Sequence, residues 1–350
     1  MCWDAPMTAE QTATSDTEGG VHFGPRRVGP PPTLSDQALA AFTRDLAVAV
    51  PAQGTPEAAK PRPRTTMTTD QQWAASVRDG VDEVQPVLDR ALAASQVTVT
   101  EDVIAGVPVF TVTPPAADPS DPRRLLDFHG GGYVYNPGRA GLVIAVWAAH
   151  ATGLPVTTVD YRMPPEHPYP AALDDCMAVY GALAAENPDR LGLIGLSAGG
   201  ALVASVLLRA RAEGLAMPAG AVLLSPWSDL AASSDSLWTL EDLDPSVTST
   251  DGDLDGCAVL YLGDTPREDP LVSPVYADYS PDLPPALLVT GTRDLLLSDT
   301  VRLHQRMRAG GVDAQLMVCE GMWHGFLYDD MPEARVAWAE IAGFMGRVTR

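Results

Sequence analysis

From about residue 96 onward the chain alternates short apolar runs with longer stretches of helical periodicity, and nothing else in the sequence limits the fold so strongly. The runs are RLLDF, LPVTTVD, RLGLIGL, GAVLLS, PALLVTG and AQLMVCE; residues 141–152, 171–185, 198–213, 298–309 and 332–345 carry the helical pattern. Strand–helix alternation of this kind builds a mostly parallel sheet with helices on both faces. The runs are continuously apolar, as strands covered on two sides must be. Ahead of them, VTVTEDV and VPVFTV alternate like an antiparallel pair. The expected class is therefore α/β: a mostly parallel central sheet of about eight strands flanked by helices.

The rest of the chain departs from this rhythm. Residues 1–33 are rich in Thr, Gly, Pro and acid and read as a flexible tail. Residues 35–50 repeat apolar side chains at helical spacing after a Ser-Asp start. Residues 51–66 have a linker composition, and 69–95 return to helical periodicity. The helices within 34–95 are expected to join a cap over a main domain spanning 96–350. Residues 229–269 are polar and acidic, with scattered helical pieces, and fall between two strands. We read an inserted cap at about 230–268.

Charge and cysteine usage exclude several classes. Twenty-three basic against 45 acidic residues give a net charge of −22. Such a chain repels nucleic acid and anionic membranes, and no basic run offsets it. Cys2, Cys176, Cys257 and Cys319 form no C-x-x-C, so neither a metal site nor a disulfide framework is expected. The N-terminus lacks the basic and apolar segments of a signal peptide. No apolar run reaches the roughly 18 residues of a membrane span, and a cytoplasmic location is expected.

Two glycine clusters carry the chemistry. The first is GLSAG, Gly195 to Gly199, between an apolar strand and an apolar helix. That is the setting of a nucleophile elbow, whose tight turn needs small neighbours and thrusts Ser197 out at a helix N-terminus. A serine hydroxyl needs a base to take its proton. On such sheets the order is Ser, acid, His. His324, in a glycine-bounded loop after the last run, is preferred to His304, which sits in a helical stretch. Asp294, the first acid after PALLVTG, is preferred to Asp299, which falls at a helix start where an acid caps amides.

The second cluster is HGGG, His129 to Gly132. Attack on a carbonyl creates an oxyanion that needs preorganised donors. The amides of Gly131, Gly132 and Ala198 are the expected donors, the glycines leaving their backbone free to approach. His129 precedes the serine and reads as a brace for this loop. Neither cluster has the G-x-G-x-x-G spacing of a dinucleotide-binding oxidoreductase.

HGGGY, YRMPPEHPYPAALDD, GLSAGG, SPWSDL, GTRD and HGF stand in an order that resembles the hormone-sensitive-lipase-like esterases, α/β-hydrolases with a helical cap. The resemblance runs from about residue 97 to the C-terminus. It implies hydrolysis of small-molecule carboxylic esters, of short to medium acyl length, without a cofactor. It implies Ser197 as nucleophile, Asp294 as acid, His324 as base, and Gly131, Gly132 and Ala198 as the oxyanion hole. Two positions depart from the pattern: Leu196 replaces the usual Asp or Thr before the serine, and Asp294-Leu295-Leu296 replaces D-P-L. Lactone, amide or carbamate hydrolysis would use the same machinery. A non-catalytic receptor on this fold is expected to lack the base, which is present. Tyr133, Leu196, Trp227 and Trp323 border the motif loops and are the expected pocket residues, with core packing an equal reading for Trp227. Arg162 and Glu166 are expected to tie their loop together. The sequence is compatible with a homodimer.

Overall fold

The computed structural model describes residues 14–15, 21–22, 29–31, 33–49, 69–241, 243–247 and 254–350. Residues 1–32 form one unit, in which Thr14–Ser15 and Val21–His22 pair antiparallel. The expected tail lies largely outside the described residues, and the expected linker, 51–66, wholly so. All that follows concerns the unit Thr33–Arg350.

Eight strands form one sheet: β1 (Thr98–Ile104), β2 (Val107–Thr113), β3 (Arg124–Phe128), β4 (Val156–Val159), β5 (Leu191–Leu196), β6 (Gly220–Leu224), β7 (Ala286–Gly291) and β8 (Ala314–Cys319). Their spatial order is β8-β7-β6-β5-β3-β4-β2-β1. β1 and β2 pair antiparallel, β2 joins β4 antiparallel, and every other pairing is parallel. The alternating pair and the six continuous runs thus take the roles that their patterns predict.

Period-two alternation divides the apolar strand residues between two cores. Leu126, Phe128, Leu193, Leu223 and Leu288 face one, and Leu125, Ile194, Leu196, Val222 and Val289 face the other. Helices α4 (Ala171–Glu186), α5 (Ala198–Ala212) and α8 (Leu297–Ala309) cover the first face. The second is covered by α3 (Val143–Thr152) and α9 (Pro332–Val348), with parts of α1 (Asp36–Ala49) and α2 (Asp70–Ser95). α2 begins in a capping box: Gln72 N–H donates to Thr69 Oγ1, and Thr69 N–H donates to Gln72 Oε1.

The β6–β7 connection carries α6 (Ser236–Thr239) and α7 (Asp255–Leu262). It interrupts the helical layer where the sequence loses its rhythm. In the YRMPPEH loop, Arg162 pairs with Asp175 on α4 rather than within the loop, and Glu166 is exposed. Among the described residues no helix is long and apolar enough to cross a membrane.

Candidate active site

Parallel topology sets the C-terminal ends of β5, β6, β7 and β8 side by side, and each end carries one piece of the site. β5 runs into Ser197, which turns directly into α5 with φ 59° and ψ −120°. That conformation is strained for a residue with a side chain, by about 1–3 kcal/mol. Crowding explains the flanking glycines. A Cβ on Gly195 would lie 2.9 Å from the Phe128 carbonyl oxygen, and one on Gly199 would lie 2.8 Å from that of His129. Backbone bonds hold the turn: Ser197 N–H donates to Leu224 O at 2.8 Å, and its carbonyl accepts from Trp227 N–H at 3.0 Å.

From β6 the path continues to the acid. Ser225 N–H donates to Val289 O at 2.7 Å, and the Ser225 hydroxyl donates to Asp294 Oδ2. The same oxygen accepts from Thr290 Oγ1 at 2.8 Å, while Oδ1 accepts from Leu296 N–H at 2.9 Å. His324, beyond β8, presents Nδ1 to Asp294 Oδ1 at 3.1 Å. Burial works against the ionised Asp294, but the adjacent imidazole and these donors outweigh it and hold the carboxyl below its ordinary range. Burial likewise opposes protonation of His324, yet Asp294, Asp244 and Asp299 together raise the imidazole above its ordinary value of 6.5. Asp294 is thus held ionised beside a histidine that readily takes a proton. Among the described residues the Ser197 hydroxyl makes no hydrogen bond, and Nε2 of His324 none either.

The HGGG loop lies against the serine. A Cβ on Gly130 would sit 3.4 Å from Ser197 Cβ. Gly131 and Gly132 have φ of 116° and 59°, which glycine adopts without penalty. The amides of Gly131, Gly132 and Ala198 donate to no described residue. His129 backs the loop: Nδ1 faces Gly130 O at 2.8 Å, and the ring stacks on Tyr161 at 4.1 Å between centroids. Tyr161 in turn donates its hydroxyl to His129 O at 2.8 Å.

The other singled-out residues divide by face. Tyr133 and Trp227 lie together on the first, with ring centroids 5.9 Å apart, and Tyr133 stacks on Tyr261 of α7. Leu196 and Trp323 are buried in the opposite core, so the four expected pocket residues are not one group. His304 is held in α8, Nε2 facing Ala314 O at 3.2 Å. Asp299 lies in the first turn of α8 but accepts from Asp229 N–H at 2.9 Å instead of capping its own helix.

Asp244 is a neighbour that sequence reasoning missed. It is 1% exposed and comes from the β6–β7 connection. Its Oδ2 accepts from Leu295 N–H at 2.8 Å and from His324 N–H at 3.1 Å. The one available signal was the Asp-Pro dipeptide, a turn initiator.

A strand-ordered sheet of this kind, with a strained serine at a strand–helix turn beside a carboxylate–histidine pair, defines an α/β-hydrolase. The sequence pattern of the α/β hydrolase fold family matches residues 125–328, and the chain belongs to that family. An acetyl-hydrolase of Streptomyces hygroscopicus is 34% identical over 228 residues, covering 64% of this chain and 75% of that protein. Carboxylesterase NlhH of Mycobacterium tuberculosis is 32% identical over 257 residues, covering 69% and 78%. The solved esterase E25 superposes with a TM-score of 0.83 at 32% identity, covering 94% of this chain and 99% of that one. An esterase of the bacterial hormone-sensitive lipase family gives 0.75 at 33% identity, covering 89% and 99%. Within the α/β-hydrolases, the chain is hormone-sensitive-lipase-like.

Proposed function

We propose that this chain is a serine carboxylesterase that hydrolyses short- to medium-chain acyl esters through an acyl-enzyme on Ser197. Esterase and acetyl-hydrolase relatives support the reaction class. The observation that carries the chemistry is the Asp294–His324 pair, 3.1 Å apart, at the strand ends that also present Ser197.

His324 Nε2 takes the proton of Ser197 Oγ as the oxygen attacks the ester carbonyl. Asp294 holds Nδ1–H and stabilises the imidazolium. The carbonyl electrons move to oxygen, which the amides of Gly131, Gly132 and Ala198 receive, Ala198 with the help of the α5 dipole. Collapse breaks the C–O bond, and His324 returns its proton to the leaving alcohol. Water, deprotonated by the same histidine, then releases the acid and regenerates Ser197. In this reading Tyr133 and Trp227 line the substrate pocket, and the described helices within 34–95 and 230–268 belong to a cap that shields it from water.

Incubation with a phosphonate ester, followed by peptide mass analysis, tests the reading. A single adduct on Ser197 is expected, with labelling slowed in His324→Ala. An adduct elsewhere would refute it. Turnover of p-nitrophenyl esters from acetate to laurate is expected to peak at the short to medium lengths. Faster turnover of lactones or anilides would replace ester hydrolysis as the reaction.

A further inference from the structure

The acid and the base of the site sit on separate loops, and one buried carboxylate from the β6–β7 connection grips both. Asp244 Oδ2 accepts from the backbone amides of Leu295, next to Asp294, and of His324 itself, at 2.8 and 3.1 Å. Its Oδ1 accepts from Ser246 and Val247 N–H at 2.8 and 3.1 Å, which turns its own segment around it. All four bonds are charge-assisted and run to backbone, so they place the chain rather than a rotamer. The bonds reach across 51 and 80 positions of sequence. β7 and β8 pair as far as Gly291 and Cys319, and Arg293 N–H donates to Met322 O at 2.9 Å, so what Asp244 adds is a tie from the β6–β7 connection to both loops.

We propose that Asp244 is a positioning residue: it fixes the distance between Asp294 and His324 and makes the geometry of the base depend on the conformation of the β6–β7 connection. This rests on the reading of Ser197, Asp294 and His324 given above. A segment that moves with substrate would then carry that movement directly to the imidazole.

Electrostatics provide a second, separable consequence. The ionisable groups acting on His324 are Asp294 from the β7–α8 loop, Asp244 from the β6–β7 connection and Asp299 from α8. Burial, then Asp294, push the Asp244 carboxyl up to about 6, against the pull of His324 and the amides. Ionised Asp244 therefore places a second negative charge near the imidazolium and favours it. Replacing Asp244 by a neutral residue therefore lowers the pH at which His324 titrates, while loss of positioning appears separately as a fall in kcat.

The test compares Asp244→Asn and Asp244→Glu with the wild type, counting active sites with a phosphonate titrant so that misfolded protein drops out. For Asp244→Asn, kcat per site for p-nitrophenyl butyrate is expected to fall about 10–100-fold, the usual effect of a small misplacement of the base. KM should change far less. The acidic limb of kcat/KM is expected to move to lower pH by about one unit, since one of the charges favouring the imidazolium is gone. Asp244→Glu keeps the charge and loses the reach, so its limb stays near wild type while kcat falls. Wild-type kcat per site together with an unmoved limb in Asp244→Asn would overturn the proposal. NMR titration of the His324 imidazole separates this result from the nucleophile assignment. A lowered midpoint in Asp244→Asn supports the coupling even where Ser197→Ala remains active, and an unchanged midpoint contradicts it even where Ser197 is the nucleophile. If Asp244→Asn does not fold, the Asp244→Glu profile decides: loss of the acidic limb's wild-type position, or wild-type kcat, contradicts the proposal.

Discussion

Phe42 of α1 stands edge-on to Trp323, with ring centroids 5.6 Å apart and planes at 72°. The Arg293 guanidinium lies over the same phenyl ring at 5.2 Å. Trp323 and Arg293 are the residues immediately before His324 and Asp294. An N-terminal helix therefore clasps both loops from the second face, opposite in role to Asp244, which binds them through their amides. One ion pair and one hydrogen bond steady the helix there: Arg44 pairs with Asp329 at 2.8 Å, and the Ser35 hydroxyl donates to Glu333 Oε2 at 2.7 Å.

Phe42→Ala should therefore affect both stability and rate. The ring is 3% exposed, and truncating a buried phenylalanine costs about 3–5 kcal/mol. We expect a loss of that order in urea unfolding, and a fall in kcat that exceeds any rise in KM. A variant that loses stability but keeps its kcat would confine the helix to a packing role.

Gly132→Ala is expected to cripple the proposed oxyanion hole. Gly132 has φ 59°, and an added Cβ would meet Cys257 Sγ at 3.2 Å and Cys257 Cβ at 3.3 Å. Displacing one donor of such a hole lowers kcat about 10²–10³-fold. KM for p-nitrophenyl butyrate should change little. The double variant Gly132→Ala/Cys257→Gly relieves the contact and should recover part of the rate; no recovery would mean that backbone strain, not the sulfur, displaces the amide.

Asp127 makes the fold less stable as pH rises. It is fully buried in β3, opposite Thr158 of β4, and burial pushes its carboxyl up to about 8. Folded protein keeps this proton while unfolded chain loses it near the ordinary value of 3.8, so stability falls between 3.8 and about 8 and then levels. Asp299, pushed up to about 7 chiefly by burial, adds to the slope in the lower part of that window. Asp127→Asn cannot ionise, so its stability relative to wild type should rise between about pH 5 and about pH 9. Equal urea midpoints at both pH values would contradict this.

The pH profile of kcat/KM follows from the raised imidazole. In the proposed mechanism activity needs neutral His324, so the acidic limb should have its midpoint above the ordinary histidine value of 6.5. Asp294→Asn removes the main favourable charge, and any residual activity should titrate at lower pH.

Much of this architecture is legible in the chain because its constraints are local. A strand needs a short apolar run, and the elbow needs small residues within two positions of Ser197. A glycine run marks where the backbone takes φ of 116° and 59°, conformations that disfavour a side chain. Chain order then favours Asp294 and His324 over their rivals, and the structure pairs these two side chains at 3.1 Å. What stayed hidden depends on contacts between distant segments. The charged bond of Arg162 goes to Asp175, thirteen positions away, because α4 folds back over the loop. Asp244 looks like a turn residue until the β6–β7 connection folds onto the acid and base loops. Leu196 and Trp323 lie in the core opposite Tyr133, although all border motifs. For Leu196 the two-residue spacing from Ile194 was the available clue, since both point to the same side of β5.

Hydrolysis of p-nitrophenyl butyrate by Ser197→Ala, with folding checked by circular dichroism, tests the nucleophile most directly. The turnover rate should fall to that of the buffer while the spectrum and melting temperature stay close to wild type. A folded variant that retains most of its activity would mean that another group attacks the ester, and the assignment of Ser197, His324 and Asp294 would fail together.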